Sequence, residues 1–205
     1  MLVNIIHPYI YKLKGNELII GPIQEFTERD QKVSDFVKTA LDNEIQIFNY
    51  DRVDLDRPLG AIMHATALIA DPLYSFIKDK RINIVMATGY GLILPEEKPD
   101  EISDENWNYL CEIYSNWPDL RSKIQNSSPA LFIGGALEAC LANAAINFSR
   151  QFDDNRQQIF YVPELCVSVD SDFLEKEALP KLEERGINPL SYEEALSLIQ
   201  TSTCN

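Results

Sequence analysis

The chain has 205 residues, enough for one domain with a well-buried core, and its 45% hydrophobic and 24% charged content is ordinary for a globular protein. Its net charge of −14, from 32 acidic against 18 basic side chains, argues against nucleic acid or an anionic membrane as partner, since both reward clusters of Lys and Arg. Four cysteines without metal-type spacing, only two histidines and no apolar run of bilayer length argue against a disulfide scaffold, a His-rich metal site and a membrane span, so a cytoplasmic protein is expected.

The opening "MLVNIIHPYIYKLKGNE" carries His7, Pro8 and two lysines and does not read as a signal peptide. "YIYKLKGNELIIG" alternates into and out of a Gly15-Asn16 turn and predicts an N-terminal β-hairpin. Thr27 and Asp30 then open a helix in a pattern close to a capping box. Val33, Phe36, Val37, Ala40 and Leu41 give that helix an apolar face. "EIQIFNY" predicts a strand. "RPLGAIMHATALIADPLYSFIKDK" predicts helix, with a restart at Asp71-Pro72. "INIVMAT" is the next strand, and the polar "LPEEKPDEISDENW" is a loop leading to a helix around Trp107 to Tyr114. "PALFIGG" predicts a strand, "LEACLANAAINFSRQF" a helix and "QQIFYVPE" another strand. A helix closing near Gly186 and a last one opened by Ser191, with Glu194 three residues on, complete the chain.

No repeat, low-complexity tract or linker interrupts this pattern, so residues 1–205 read as a single domain. Short apolar strands alternating with helices predict an α/β fold: three αβα layers around a mainly parallel sheet. Ligands bind such sheets outside the carboxyl ends of the strands. That directs attention to Gly21–Phe26, Asn49–Arg57, Thr88–Lys98, Gly134–Cys140 and Pro163–Asp170.

Cys140 falls in the first turn of a predicted helix, where unpaired N–H groups and the helix dipole favour a thiolate. The same N–H groups suit an oxyanion formed by attack on a carbonyl. Gly134 and Gly135 allow close backbone approach. Two readings of Cys140 stay open on these residues: a nucleophile, or a small buried side chain packing like alanine. Elsewhere the plainer reading prevails. Gly89 and Gly91 read as a loop, His64 as a packed or surface residue and Cys166 as buried. Asp170 and Asp172 read as helix caps, and Trp107, Tyr114 and Trp117 as residues of a helix packed on the sheet.

"LFIGGALEACLANAAINF", followed by "QQIFYVPELCVSVD" and "LPKLEERGINPLSYEEALSLI", resembles the isochorismatase-like superfamily of cysteine hydrolases. Gly134, Glu138 and Cys140 match that family's glycine, acid and nucleophile without a gap, and the likeness is good from Pro129 to Gln200. The resemblance implies a sheet of about six strands, commonly a homo-oligomer, and a small amide, imide or vinyl-ether substrate. It also implies an oxyanion site from the N–H groups of Ala136 and Cys140, often with a cis Gly135–Ala136 bond.

The family's other residues are matched less well. Its base is an aspartate ending the first strand, and the ungapped match of "LIIGPIQEF" puts Gly21 there, with Glu25 as the nearest carboxylate. Its lysine follows the third strand, where Ala87 and Thr88 stand and Lys98 is the nearest downstream candidate. Metal-using relatives carry Asp-x-His after the second strand; here Asp51 is followed by Val53 at the histidine position, so no metal and no cofactor is expected. Two functions follow. One is a divergent cysteine hydrolase, with Cys140, Lys98 and Glu25 catalytic and Gly135, Ala136 and Cys140 binding the substrate. The other is a catalytically impaired pseudoenzyme of the same fold that binds a ligand or partner.

Overall fold

The computed structural model describes residues 1–6, 10–14, 17–21, 27–52, 79–88, 91–92, 98, 104, 107–108, 111, 117–152, 158–168 and 170–202. In chain order the strands are β1 (Leu2–Ile6), β2 (Ile10–Lys14), β3 (Glu17–Gly21), β4 (Gln46–Arg52), β5 (Ile82–Thr88), β6 (Gly91–Leu92), β7 (Ala130–Ala136), β8 (Ile159–Val167) and β9 (Asn188–Pro189). The helices are α1 (Thr27–Asp42), α2 (Trp117–Gln125), α3 (Ala142–Gln151), α4 (Leu179–Glu184) and α5 (Tyr192–Thr201). Seven strands form one sheet in the order β6-β5-β4-β1-β7-β8-β9. Six of them run parallel, and only the two-residue β6 is antiparallel to its neighbour.

The strand at the centre of this sheet is one the sequence pattern did not pick out. "LVNII" has no alternation to read, because all five residues are buried, as a strand covered on both faces requires. The segment Glu17–Gly21, matched above to the first parallel strand, instead pairs antiparallel with β2 in a separate two-stranded sheet, Ile10 opposite Gly21. The first parallel strand therefore ends at Ile6, not at Gly21.

Side-chain alternation splits the core in two. Leu2, Ile6, Phe48, Tyr50, Phe132 and Tyr161 face one cluster with Trp117, Leu120 and Ile124 of α2, Phe148 of α3 and Leu182 of α4. Phe132 and Phe148 meet edge to face at 5.3 Å between ring centres, so α3 is keyed directly onto β7. On the other face Val3, Ile5, Ile47, Leu131 and Ile133 cluster with Val33, Phe36 and Val37 of α1 and Ile199 of α5. Each such buried side chain contributes roughly 1.5–3 kcal/mol. The helix ends follow local chemistry: Ser191 and Glu194 form the expected capping box on α5, and Gly186 leaves α4 with φ +68°.

At its carboxyl end β7 leaves no room for a side chain on the side facing β1. Gly134 lies opposite Ile6 with φ +111°, and a Cβ built there would sit 2.4 Å from the Ile6 carbonyl oxygen. Both the dihedral and the space demand glycine. Gly134→Ala should therefore destabilise the fold by roughly 2–5 kcal/mol, read as a lower midpoint in denaturant at unchanged slope.

Asn4, opposite Phe48 and Phe132, is fully buried, and neither of its amide atoms has a hydrogen-bond partner among the described residues. Asn4→Leu removes that desolvation cost at similar volume. It should raise stability by about 1–3 kcal/mol, checked by thermal melting.

Candidate functional site

β7 leaves the sheet at Ala136, still extended at φ −61° and ψ 117°, and winds at once into a π-helical turn, Leu137–Leu141, that runs on into α3. π-helical turns are rare and recur at functional sites. An alanine N-cap has no side-chain oxygen to offer the first-turn N–H groups. Cys140 is the fourth residue of this turn, half-buried and packed against the core cluster beneath α2 and α3. Gly135 is buried, and Ala136 is half-buried opposite Val167 of β8. The Gly135–Ala136 bond is not cis; among the described residues the cis bond is Ser128–Pro129. The correction has a plain cause, since β7 stays extended to pair Ala136 with Val167.

Glu138 fastens the turn from below. Its residue is 5% exposed, and one carboxylate oxygen accepts the Asp170 N–H at 2.9 Å. Asp170 in turn accepts the Phe173 N–H at 2.9 Å and caps the helical turn Ser171–Phe173, as its sequence position predicts. The turn bearing Cys140 is thus tied to the segment that follows β8.

β8 contributes a second thiol. Tyr161 pairs with Phe132, yet the residue opposite Gly134 is Cys166, so β8 carries extra residues here while β7 advances by two. Exposed Pro163 and Glu164 occupy this bulge, a device common beside active sites. The Cys166 thiol donates to the Val162 carbonyl at 3.1 Å. Burial pushes its pKa from the usual 9 up to about 12, against the smaller opposing pull of the Arg29 charge and the Gly134 backbone N–H. Arg29 and Asp30 at the start of α1 are 8% and 1% exposed and pair at 2.9 Å. Asp30, read above as a capping residue, is therefore a buried ion-pair partner.

The remaining sequence candidates are spread out. Lys98 is exposed and donates to Asp104, itself 91% exposed. Gly21 belongs to the small two-stranded sheet. Trp117 is buried in the core and Trp107 packs on it, in keeping with a packed helix. Glu25, Val53, His64, Gly89 and Tyr114 lie outside the described residues. Among the described residues no group of three His, Cys, Asp or Glu side chains is placed to hold a metal, and no helix is long and apolar enough to cross a membrane. Sequence reasoning missed the π turn, the β8 bulge and the buried Arg29–Asp30 pair. None has a local signal, because each arises from how neighbouring elements pack.

No family model matches the sequence, and no curated protein does. Solved structures do match. A putative hydrolase of the isochorismatase family from Chromobacterium violaceum superposes with a TM-score of 0.59 at 9% identity, covering 98% of this chain and 93% of that one. The MAR1 ribonuclease from Caenorhabditis elegans gives 0.56 at 8% identity, covering 100% and 88%. A pyrazinamidase of Pyrococcus horikoshii, in complex with zinc, gives 0.54 at 14% identity, covering 93% and 98%. The chain shares the fold of these proteins: a mainly parallel sheet between helices.

The two thiols should separate by pH. Cys166 is half-buried, as Cys140 is, rather than fully buried as its sequence suggests. A pKa raised to about 12 nonetheless keeps it neutral, so at pH 8 a thiolate-selective alkylating reagent should label Cys140 faster than Cys166. The raised value also means that the neutral thiol contributes stability below about pH 9, which is lost as pH climbs toward 12. Cys166→Ser should flatten that loss. Peptide mass analysis and denaturant titrations at pH 8, 9 and 10.5 read both effects.

Proposed function

We propose that this chain is a divergent cysteine hydrolase of the isochorismatase-like type, acting on a small amide, imide or vinyl-ether substrate. The observation that carries the reading is the place of Cys140: a half-buried thiol in a first helical turn, at the carboxyl end of a strand near the sheet's centre. On an amide, the Cys140 thiolate adds to the carbonyl carbon, and the N–H groups of Ala136 and Cys140 receive the oxyanion. Collapse expels the amine, which takes up a proton, and leaves a thioester on Cys140. Water then adds to the thioester, releasing the acid and returning the proton to the thiol.

The proton acceptor is the least familiar part of this reading. Because β1 ends at Ile6, the position that ends the first strand falls at the next residue in the sequence, His7, and no longer at Gly21. His7 and Glu25 both lie outside the described residues. An imidazole titrating near 6.5 suits a base for a thiol at neutral pH. Lys98 is engaged with Asp104 at the exposed surface, and this favours the second reading, a catalytically impaired protein of the same fold that binds a ligand or partner. The net charge of −14 opposes a nucleic-acid substrate. We extend the reading to a homo-oligomer, which light scattering on the eluting protein would reject by returning the mass of one chain.

The test is a panel of small amides, imides and vinyl ethers assayed for product, with intact-mass detection of an acyl adduct. Turnover should vanish in Cys140→Ala, and His7→Gln should lower it by about 10²–10⁴-fold. Turnover that survives Cys140→Ala would reject the nucleophile. Turnover unchanged in His7→Gln would reject the base while leaving the nucleophile standing. Absence of turnover and adduct across the panel, with the protein folded, would favour the binding-protein reading.

A further inference from the structure

The turn Leu137–Leu141 is anchored at both ends by apolar packing, since Leu137 and Leu141 are buried in the core cluster. Between those ends stands an acid. Ala136, the N-cap, has no side-chain oxygen with which to fix the first-turn N–H groups. Glu138 is buried instead, and it accepts the Asp170 N–H at 2.9 Å, 32 residues along the chain. Asp170 is held in its own right, because its side chain accepts the Phe173 N–H at 2.9 Å. Glu138 and Cys140 are two positions apart, and side chains at that spacing on a helical turn do not face each other. Cys140 packs against the core cluster, whereas Glu138 reaches the segment after β8. Any influence of the acid on the thiol therefore runs through the backbone that they share.

We infer that Glu138 is a positioning residue for Cys140, and that its bond to the Asp170 N–H sets the direction of the thiol and of the first-turn N–H groups. The inference rests on the reading of Cys140 as the reactive thiol. A hydrogen bond to a charged acceptor is short and directional, which suits a clamp. A misplacement of about 1 Å at a reacting group costs up to about 10²-fold in rate. The charge alone works the other way, because a nearby carboxylate disfavours a thiolate. What the turn requires of residue 138 is an oxygen at the right reach. Glu138 is thereby set apart from the proton acceptor, whose function depends on its basicity.

Alkylation of Cys140 by iodoacetamide is followed from about pH 6 to about pH 10 by peptide mass analysis, with near-UV circular dichroism reporting the fold of each chain. This readout needs no turnover. Glu138→Gln keeps an oxygen for the Asp170 N–H and should hold the rate within about threefold, or raise it. Glu138→Asp keeps the charge but shortens the arm by about 1.5 Å. It should slow labelling at neutral pH by about tenfold and move the midpoint of the pH profile up by about one unit. Glu138→Ala, which has neither reach nor charge, should also slow it by about tenfold. Labelling at the natural rate in folded Glu138→Asp and Glu138→Ala would overturn the inference. So would a Glu138→Gln chain that is slowed as much as Glu138→Asp, or that fails to fold. Cys140 left unlabelled in the natural folded chain would reject the reactive thiol itself, and this inference with it.

Discussion

The approach of β1 to β7 at Gly134 is the constraint on which the rest of the molecule depends. A glycine with φ +111° lets two parallel backbones come closer than any side chain would allow. Beyond that contact β7 continues two residues and turns into the helix that bears Cys140. β8 meets the same glycine with Cys166, and its bulge is what brings that thiol into register. Three elements of the candidate site are thus aligned on a single residue without a Cβ. The side chains around it are ordinary; the backbone placement is not.

Much of the architecture was legible because its causes are local. β5 and β7 are short, largely apolar runs, and their observed limits fall within about one residue of the predicted strands. The Ser191–Glu194 box and the Asp170 cap are chemical signatures that need no tertiary context. β1 was invisible for the opposite reason. A strand buried on both faces shows no period, and Leu2–Ile6 has polar company only in Asn4, itself buried. Missing that strand moved the presumed end of the first parallel strand fifteen positions along the chain, to a glycine in another sheet. The error lay in the order of strands, which spacing along a chain does not encode.

The candidate site was legible only in part. Cys140 announced itself through the glycines before it and the small-residue helix after it. Its surroundings did not, because they are assembled from distant segments: Glu138 reaching to Asp170, and α1 carrying the buried Arg29–Asp30 pair to β8. Arg29 and Asp30 look in sequence like the solvated first turn of an amphipathic helix, and only packing against β8 makes them interior charges. Buried ion pairs carry a desolvation cost that seldom leaves a net gain in stability, so their position near the Cys166 thiol is more readily understood as an electrostatic setting than as reinforcement.

Among the described residues the two ends of the large sheet are β6 and β9, each two residues long, and β9 includes Pro189, which has no N–H to offer. Among these residues β6 pairs only with Ala87 and Thr88 of β5, and β9 only with Phe160 and Tyr161 of β8, so a further strand pairing with β6 or β9 would find at most one or two hydrogen-bonding positions on it. Edge strands this short are themselves a poor template for the edge-to-edge stacking by which open sheets aggregate.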